Sequence, residues 1–342
     1  MAISFNNRIR QILLLLIIIF LALLLAYQLA AFIPGFLGAI TLYILCRSLF
    51  FKLTIKKKWN KTATSILFIV ASLILIALPI YFSIQLLSSK IITLINSTDA
   101  MQAKAILIGQ KIEQLTGFNI LTPANIKSIQ TNAASFIPSI LNSSASIISN
   151  FAILFFILYY LLVNGREVEY YLNKNIPLKD ENILLLSNET KNMIQANAIG
   201  IPVLAIIQGF IATIGYAIFG VQDYALWGFI TGICSMIPVV GTIIIWGPLV
   251  AYFLATGNNS SALGLFLFAA IIITNIDYVA RLTLLKRFTD IHPLITIFGV
   301  IIGISLFGFW GVIFGPLLIS YFIILFKIYI NEFGNSSTNT TA

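Results

Sequence analysis

The chain has 342 residues, 59% hydrophobic and 9% charged, with a formal net charge of +9 and a mean hydropathy of +1.01. Soluble domains carry about 25% charged residues, so this composition excludes a water-soluble domain and indicates a polytopic, all-α membrane protein. The positive excess lies in clusters between charge-free runs, and basic loops facing an anionic membrane leaflet account for it without nucleic acid.

A membrane-crossing helix needs about 20 mainly apolar residues. The first is expected at residues 11–32, behind Arg8 and Arg10. That run exceeds the 7–15 residues of a secretion-signal core, and a second apolar segment follows at once, so it reads as an uncleaved helix. Pro34-Gly35 turns the chain into the second helix, 34–51. A basic loop follows, with Arg47, Lys52, Lys56, Lys57, Lys58 and Lys61. The third helix is expected at 62–87. Basic clusters stay on the cytoplasmic side, which places the N-terminus and this loop there.

Residues 88–146 are rich in Ser, Asn and Thr and hold Lys90, Lys104, Lys111 and Lys127. They are too polar to span and read as an extracytoplasmic segment with amphipathic stretches at 106–115 and 126–140. The fourth helix is expected at 147–163, stopped by N-G-R-E at 164–167. A second cytoplasmic segment follows at 166–198, with an amphipathic helix at 181–196.

The C-terminal half is apolar but repeatedly interrupted. A fifth helix is expected at 199–219. Residues 225–256 are broken near Pro238 and Gly241, so that each half is too short to span alone. A further helix covers 261–275, and a basic loop at 281–290 returns to the cytoplasm. Residues 292–326 repeat the pattern, with a break between Gly308 and Gly311. The motif W-G-x-I-x-G occurs at both places, at 227–232 and at 310–315. Interrupted helices leave main-chain groups that hydrocarbon cannot satisfy, and paired interruptions point to a transport site. Both breaks are therefore expected to face a polar passage. The expected division is 1–87 as a three-helix scaffold, 88–146 as the extracytoplasmic segment, and 147–198 as the fourth helix with its cytoplasmic segment. Residues 199–330 form the transport core, and 331–342 a disordered tail with a cytoplasmic C-terminus.

Acidic residues are sparse. Asp277 alone lies at the edge of an apolar helix with no charge before it, and Arg281 follows four residues later on the same helix face. An ionisable group at membrane depth is by default functional, so Asp277 is expected to couple or gate transport with Arg281 as its partner. Polar groups near the breaks join them: Gln195, Asn197 and Gln208 around the fifth helix, Thr274 and Asn275 before Asp277, and Ser235 and Thr242 beside Pro238 and Gly241. Gly308, Gly311 and Pro316 complete the expected pathway. Cys46 and Cys234 sit in apolar runs, and His292 is the sole histidine, so neither a metal site nor a Cys/His or Ser/His/Asp centre is expected. No phosphate loop, dinucleotide fingerprint or zinc-protease helix is present. Neither enzymatic activity nor a cofactor is expected.

Several stretches together resemble the autoinducer-2 exporter family, the PerM-like permeases of bacteria. They are Y-L-L-V-N-G-R-E (160–167), I-I-Q-G (206–209), L-W-G-F-I-T-G-I-C-S-M-I-P-V-V-G-T (226–242), I-D-Y-V-A-R (276–281), the pair His292-Pro293, and L-F-G-F-W-G-V-I-F-G-P-L-L (306–318). The N-terminal half matches in layout only. The resemblance implies about eight spans in the inner membrane, efflux of a small solute such as autoinducer-2, and a homo-oligomer, with a pentamer suggested. Some relatives look like sodium/proton antiporters. One departure is visible: Leu282 stands where the family often has proline after the Arg of D-x-x-x-R.

The expected function is a secondary transporter that exports a small polar solute by alternating access, coupled to protons or sodium. A cation/proton antiporter and a non-transporting membrane scaffold stay open as alternatives. The expected partners are the solute, the coupling ion, membrane lipid and further copies of the chain.

Overall fold

Hydrocarbon offers the main chain no hydrogen-bond partner, so a chain that crosses it closes its backbone bonds within helices. The computed structural model describes residues 7–95, 106, 109–110, 113, 123–237, 240–276, 278–279, 283, 293–308 and 311–333. Every regular element named among them is helical. Among the described residues seven helices are long and apolar enough to cross a membrane, and three shorter apolar helices accompany them. The chain is a polytopic all-α membrane protein.

α1 (Asn7–Ala30) is hydrophobic on all sides, and none of its span from Arg10 to Ala30 is buried against the rest of the chain. A two-residue turn leads to α2 (Ile33–Phe51), which carries proline in its first turn. Helix starts leave amide groups unpaired, and here Asn150 fills the need. Its Oδ1 accepts from the Gly35 N–H at 3.0 Å, and its Nδ2 donates to the Ala31 carbonyl at 3.1 Å. Glycine is required at 35, because a Cβ there would stand 2.6 Å from the Asn150 carbonyl oxygen.

α2 runs into a π-helical turn, Lys52–Lys56, and α3 (Lys61–Ile95) follows. α4 (Pro123–Asn175) is one helix of 53 residues, about 80 Å at 1.5 Å per residue, so it extends well beyond a bilayer core. The stretch 126–140 is helical, as its pattern indicates, but this corrects both expected ends of the fourth helix: it starts at Pro123, and N-G-R-E at 164–167 does not stop it. Gly165 stays helical because the Tyr43 ring of α2 packs on it, where a Cβ would overlap the phenol hydroxyl. The stretch expected at 106–115 lies largely outside the described residues, as does the tail from 334.

α2, α3 and α4 enclose one core around Tyr43, Phe50, Leu154, Leu158 and Leu162. Its polar margin is a compact network. Tyr43 donates to Glu169 Oε1 at 2.8 Å, and Arg47 grips the same carboxylate through Nε and Nη2 at 2.5 and 2.6 Å. Bidentate guanidinium pairs are the stronger ion pairs, but Arg47 is 47% and Glu169 31% exposed. Glu169→Gln is therefore expected to cost about 1 kcal/mol or less, read as a small fall in the midpoint of thermal unfolding in detergent.

α5 (Asp180–Gln195) opens with Asp180 and Glu181 in its first turn, where acids suit the helix dipole. It passes through a second π-helical turn, Ala196–Gly200, into α6 (Ile201–Ile218). α7 (Tyr224–Cys234) and α8 (Ile243–Ala255) have 11 and 13 residues, about 17 and 20 Å. Neither crosses a 30 Å core alone, and the break falls where expected. α9 (Asn259–Phe268) continues into a third π-helical turn, Ala269–Ile273. α6 to α9 and that turn share a core around Tyr216, Ile245, Leu249, Leu265 and Ile273.

α10 (Pro293–Phe307) and α11 (Gly311–Phe333) form the last pair. α11 buries Phe314, Leu317, Ile324 and Ile328 against Met193 and Ile194 of α5, with partly buried α2 side chains around them. Its far end is tied to α5 through Asn182, which donates to Glu332, and Lys179, 3.9 Å from the same carboxylate. The two broken regions therefore pack into different cores.

Candidate functional site

The described residues beside the two breaks are bonded or packed at short range. At the first, Ser235 Oγ donates to the Gly232 carbonyl at 2.7 Å and the Gly241 N–H to the Ile237 carbonyl at 3.2 Å. Gly241 is buried so closely that a Cβ would overlap the Cys234 carbonyl. At the second, α10 and α11 meet backbone to backbone. Gly299 and Gly303 lie against Gly311, Gly315 and Pro316, and a Cβ at Gly303 or Gly311 would strike main-chain atoms of the other helix. Gly308 turns the chain with φ +60 and has open space around it, a conformation that glycine adopts without penalty. The residues at the centre of each break, 238–239 and 309–310, lie outside the described residues. Beside the second break, glycines four apart let the two helices approach until their backbones touch.

Polar chemistry gathers instead beside the π-helical turns. Such turns offset the backbone ladder by one residue and recur at functional sites. In the third, the Thr274 N–H bonds the Ala269 carbonyl, five residues back. α6 packs on this turn. Gln208, wholly buried, donates from Nε2 to the Ile273 carbonyl at 2.8 Å. Its Oε1 is buried with no hydrogen-bond partner among the described residues. An unsatisfied buried acceptor costs about 1–3 kcal/mol. Thr274 Oγ1 donates to the Ala269 carbonyl at 3.1 Å and Asn275 Nδ2 to the Ile271 carbonyl at 2.6 Å. Asn275 is exposed. Asp277 and Arg281 come next in sequence but lie outside the described residues, as does Pro238.

The second π-helical turn has its own amide. Asn197, 3% exposed, donates from Nδ2 to the Met193 carbonyl at 2.9 Å. Further along α6, the Tyr216 hydroxyl and Thr231 Oγ1 share a bond of 2.9 Å, both side chains fully buried. That contact exists because α7 approaches α6 closely. Gly232 lies against the Ala205 carbonyl and Gly209, and Gly228 against Thr213. Among the described residues two other buried groups lack partners, Trp246 Nε1 on α8 and Ser320 Oγ on α11.

The structure thus brings Gln208 to the segment carrying Thr274 and Asn275, and it keeps Gly308, Gly311 and Pro316 apart from them in the other core. Sequence reasoning missed the Tyr43–Arg47–Glu169 network, the Asn150 cap and the glycine interlock. The interlock alone left a signal, the four-residue spacing of Gly299/Gly303 and Gly311/Gly315. Among the described residues no group of three His, Cys, Asp or Glu side chains could hold a metal ion. A cavity of about 20 Å³ lies where Gly35, Gly38 and Asn150 meet Phe314, space for a single water.

A family model for AI-2E family transporters matches residues 13–331. A Helicobacter pylori (strain J99) protein is 26% identical over 312 residues, covering 85% of this chain and 88% of its own length. A counterpart from strain 26695 is 27% identical over 335 residues, 88% and 94% of the two chains. An Aquifex aeolicus protein is 27% identical over 172 residues, half of this chain and 49% of its own. Each is provisionally named a transport protein. With its all-helical, multi-span fold and a family match over nearly its whole length, the chain belongs to the AI-2E transporter family.

Proposed function

We propose that the chain is a secondary transporter that exports a small polar solute, of the autoinducer-2 type, across the cytoplasmic membrane by alternating access. The observation that carries this reading is the orphan acceptor of Gln208 beside the offset carbonyls of the Ala269–Ile273 turn. In a dry bundle such a group is costly unless a donor visits it. In this scheme the solute passes when the α6–α9 body moves against α2–α4. Separate hydrophobic cores in those two bodies support such motion. Asp277 is the coupling carboxylate in this scheme, with Arg281 its partner. Asn275 borders the same segment. The glycine interlock of α10 and α11, with Gly241 at the other break, serves as packing and hinge. Both termini are cytoplasmic, on the side of the basic α2–α3 turn.

The test is solute flux in proteoliposomes with pH and sodium gradients imposed separately. Solute movement driven by one gradient is the expected result. Proton flux that depends on sodium with no solute would identify an antiporter instead, and absence of all flux would leave a membrane scaffold. Asp277→Asn is expected to lower flux at least tenfold, about 1.4 kcal/mol in the barrier, while the protein purifies and melts normally. Wild-type flux in that variant would remove Asp277 from the mechanism.

A further inference from the structure

The turn joining α2 to α3 concentrates positive charge that the protein leaves unanswered. Residues 47–61 contain six bases and no acid. Among the described residues, Arg47 alone of these has a carboxylate, that of Glu169. Arg47 also lies over the Phe51 ring at 5.4 Å, and the guanidinium of Arg166, from α4, lies over the same ring at 5.2 Å. Arg166 is exposed, and no carboxylate among the described residues pairs with it. Lys52, Lys56, Lys57 and Lys58 are exposed and likewise without an ion pair among the described residues.

The backbone gathers these charges. The Lys57 N–H closes on the Lys52 carbonyl at 3.3 Å, so two lysines issue from one loop. Lys58 follows in the left-handed region, φ 55, which side chains rarely adopt without compensation. Trp59 is next and 48% exposed. The flanking candidate spans end at Lys56 and begin at Lys61, so this turn lies at the level of lipid headgroups, where Trp is favoured. Topology alone requires only basic residues in the loop. It does not require a guanidinium parked on an aromatic ring beside a closed loop of lysines. Arginine stacked on a ring keeps its donors free for phosphate.

We propose that Arg166 and the Lys52–Lys58 turn form a headgroup site for an anionic phospholipid, the phosphodiester held by Arg166 and Lys52 with Trp59 at the interface. The site stands independently of the transport reading.

Native mass spectrometry of the full chain tests it, in detergent with equal amounts of phosphatidylglycerol and phosphatidylcholine of the same acyl chains. Each base near the surface is worth about fivefold in anionic-lipid binding. Retained phosphatidylglycerol is therefore expected to exceed phosphatidylcholine at least about fivefold, and Arg166→Gln with Lys52→Gln to bring the two near parity. Lys191→Gln with Lys327→Gln removes the same charge from exposed positions on α5 and α11 and is expected to leave the preference intact. Parity in the wild type, or equal loss in both double variants, would overturn the proposal. So would displacement of the lipid by millimolar inorganic phosphate, which would identify a free-anion site. If the first double variant does not purify, the wild-type ratio and the phosphate competition decide.

Discussion

Gly311→Leu is expected to prevent a stable fold. A side chain at Gly311 would occupy the space of the Gly303 carbonyl and the backbone of Ile304, and main chain cannot turn aside as a side-chain tip can. Overpacking costs about 1–3 kcal/mol where side chains can adjust; this backbone overlap belongs at or above about 3. α10 and α11 would have to separate, which would also loosen the contacts of α11 with α5 around Phe314 and Met193. The measurement is thermal unfolding in detergent, with a fall of many degrees or loss of the monodisperse peak. Gly308→Ala gives the contrast. It meets nothing within 4 Å and suffers only its φ of +60, a cost of about 1–2 kcal/mol. A Gly311→Leu protein that melts like wild type would show that the helices do not interlock through these glycines.

Gln208→Leu is expected to do the opposite: to leave the fold intact and stop the flux. The substitution removes the orphan Oε1, worth about 1–3 kcal/mol, together with the Nε2 bond to the Ile273 carbonyl, worth about 0.5–1.5 kcal/mol, effects of opposite sign. Leucine fills a similar volume, so the melting midpoint should move by only a few degrees. Solute flux should fall at least tenfold, because the acceptor that receives the solute is gone. Ser320→Ala is the companion. It deletes another buried group without a partner, on a helix outside this core, and should stabilise slightly with flux unchanged. If Gln208→Leu transports normally, the amide is a structural cost and the site lies elsewhere.

Much of the architecture was legible in the residues. Long apolar runs become helices wherever hydrocarbon must be crossed, because no other geometry closes the backbone bonds locally. That constraint placed the spans and both interruptions, and the amphipathic pattern before Asn197 placed α5. The failures share one cause. N-G-R-E reads as a stop by local propensity, yet Gly165 remains helical because Tyr43 from another helix needs its space. Proline and glycine at the breaks read as unsatisfied main chain, yet the Gly241 N–H bonds to the Ile237 carbonyl and Gly311 packs against Gly303. Gln208 could be named as polar near a break, but its orphan oxygen arises only from the offset ladder of a distant segment.

Composition and hydropathy by themselves determined a multi-span helical membrane protein, with its basic loops and its interrupted C-terminal half. These follow from the local cost of exposing main chain and charge to hydrocarbon, which each segment meets alone. Tertiary structure alone decided where helices pack glycine to glycine, and that among the described residues the Gln208 Oε1 lacks a partner and Arg166 a carboxylate while Arg47 has Glu169. Those outcomes depend on groups more than a hundred residues apart in the case of Arg47 and Glu169, and on which backbones approach closely enough to touch.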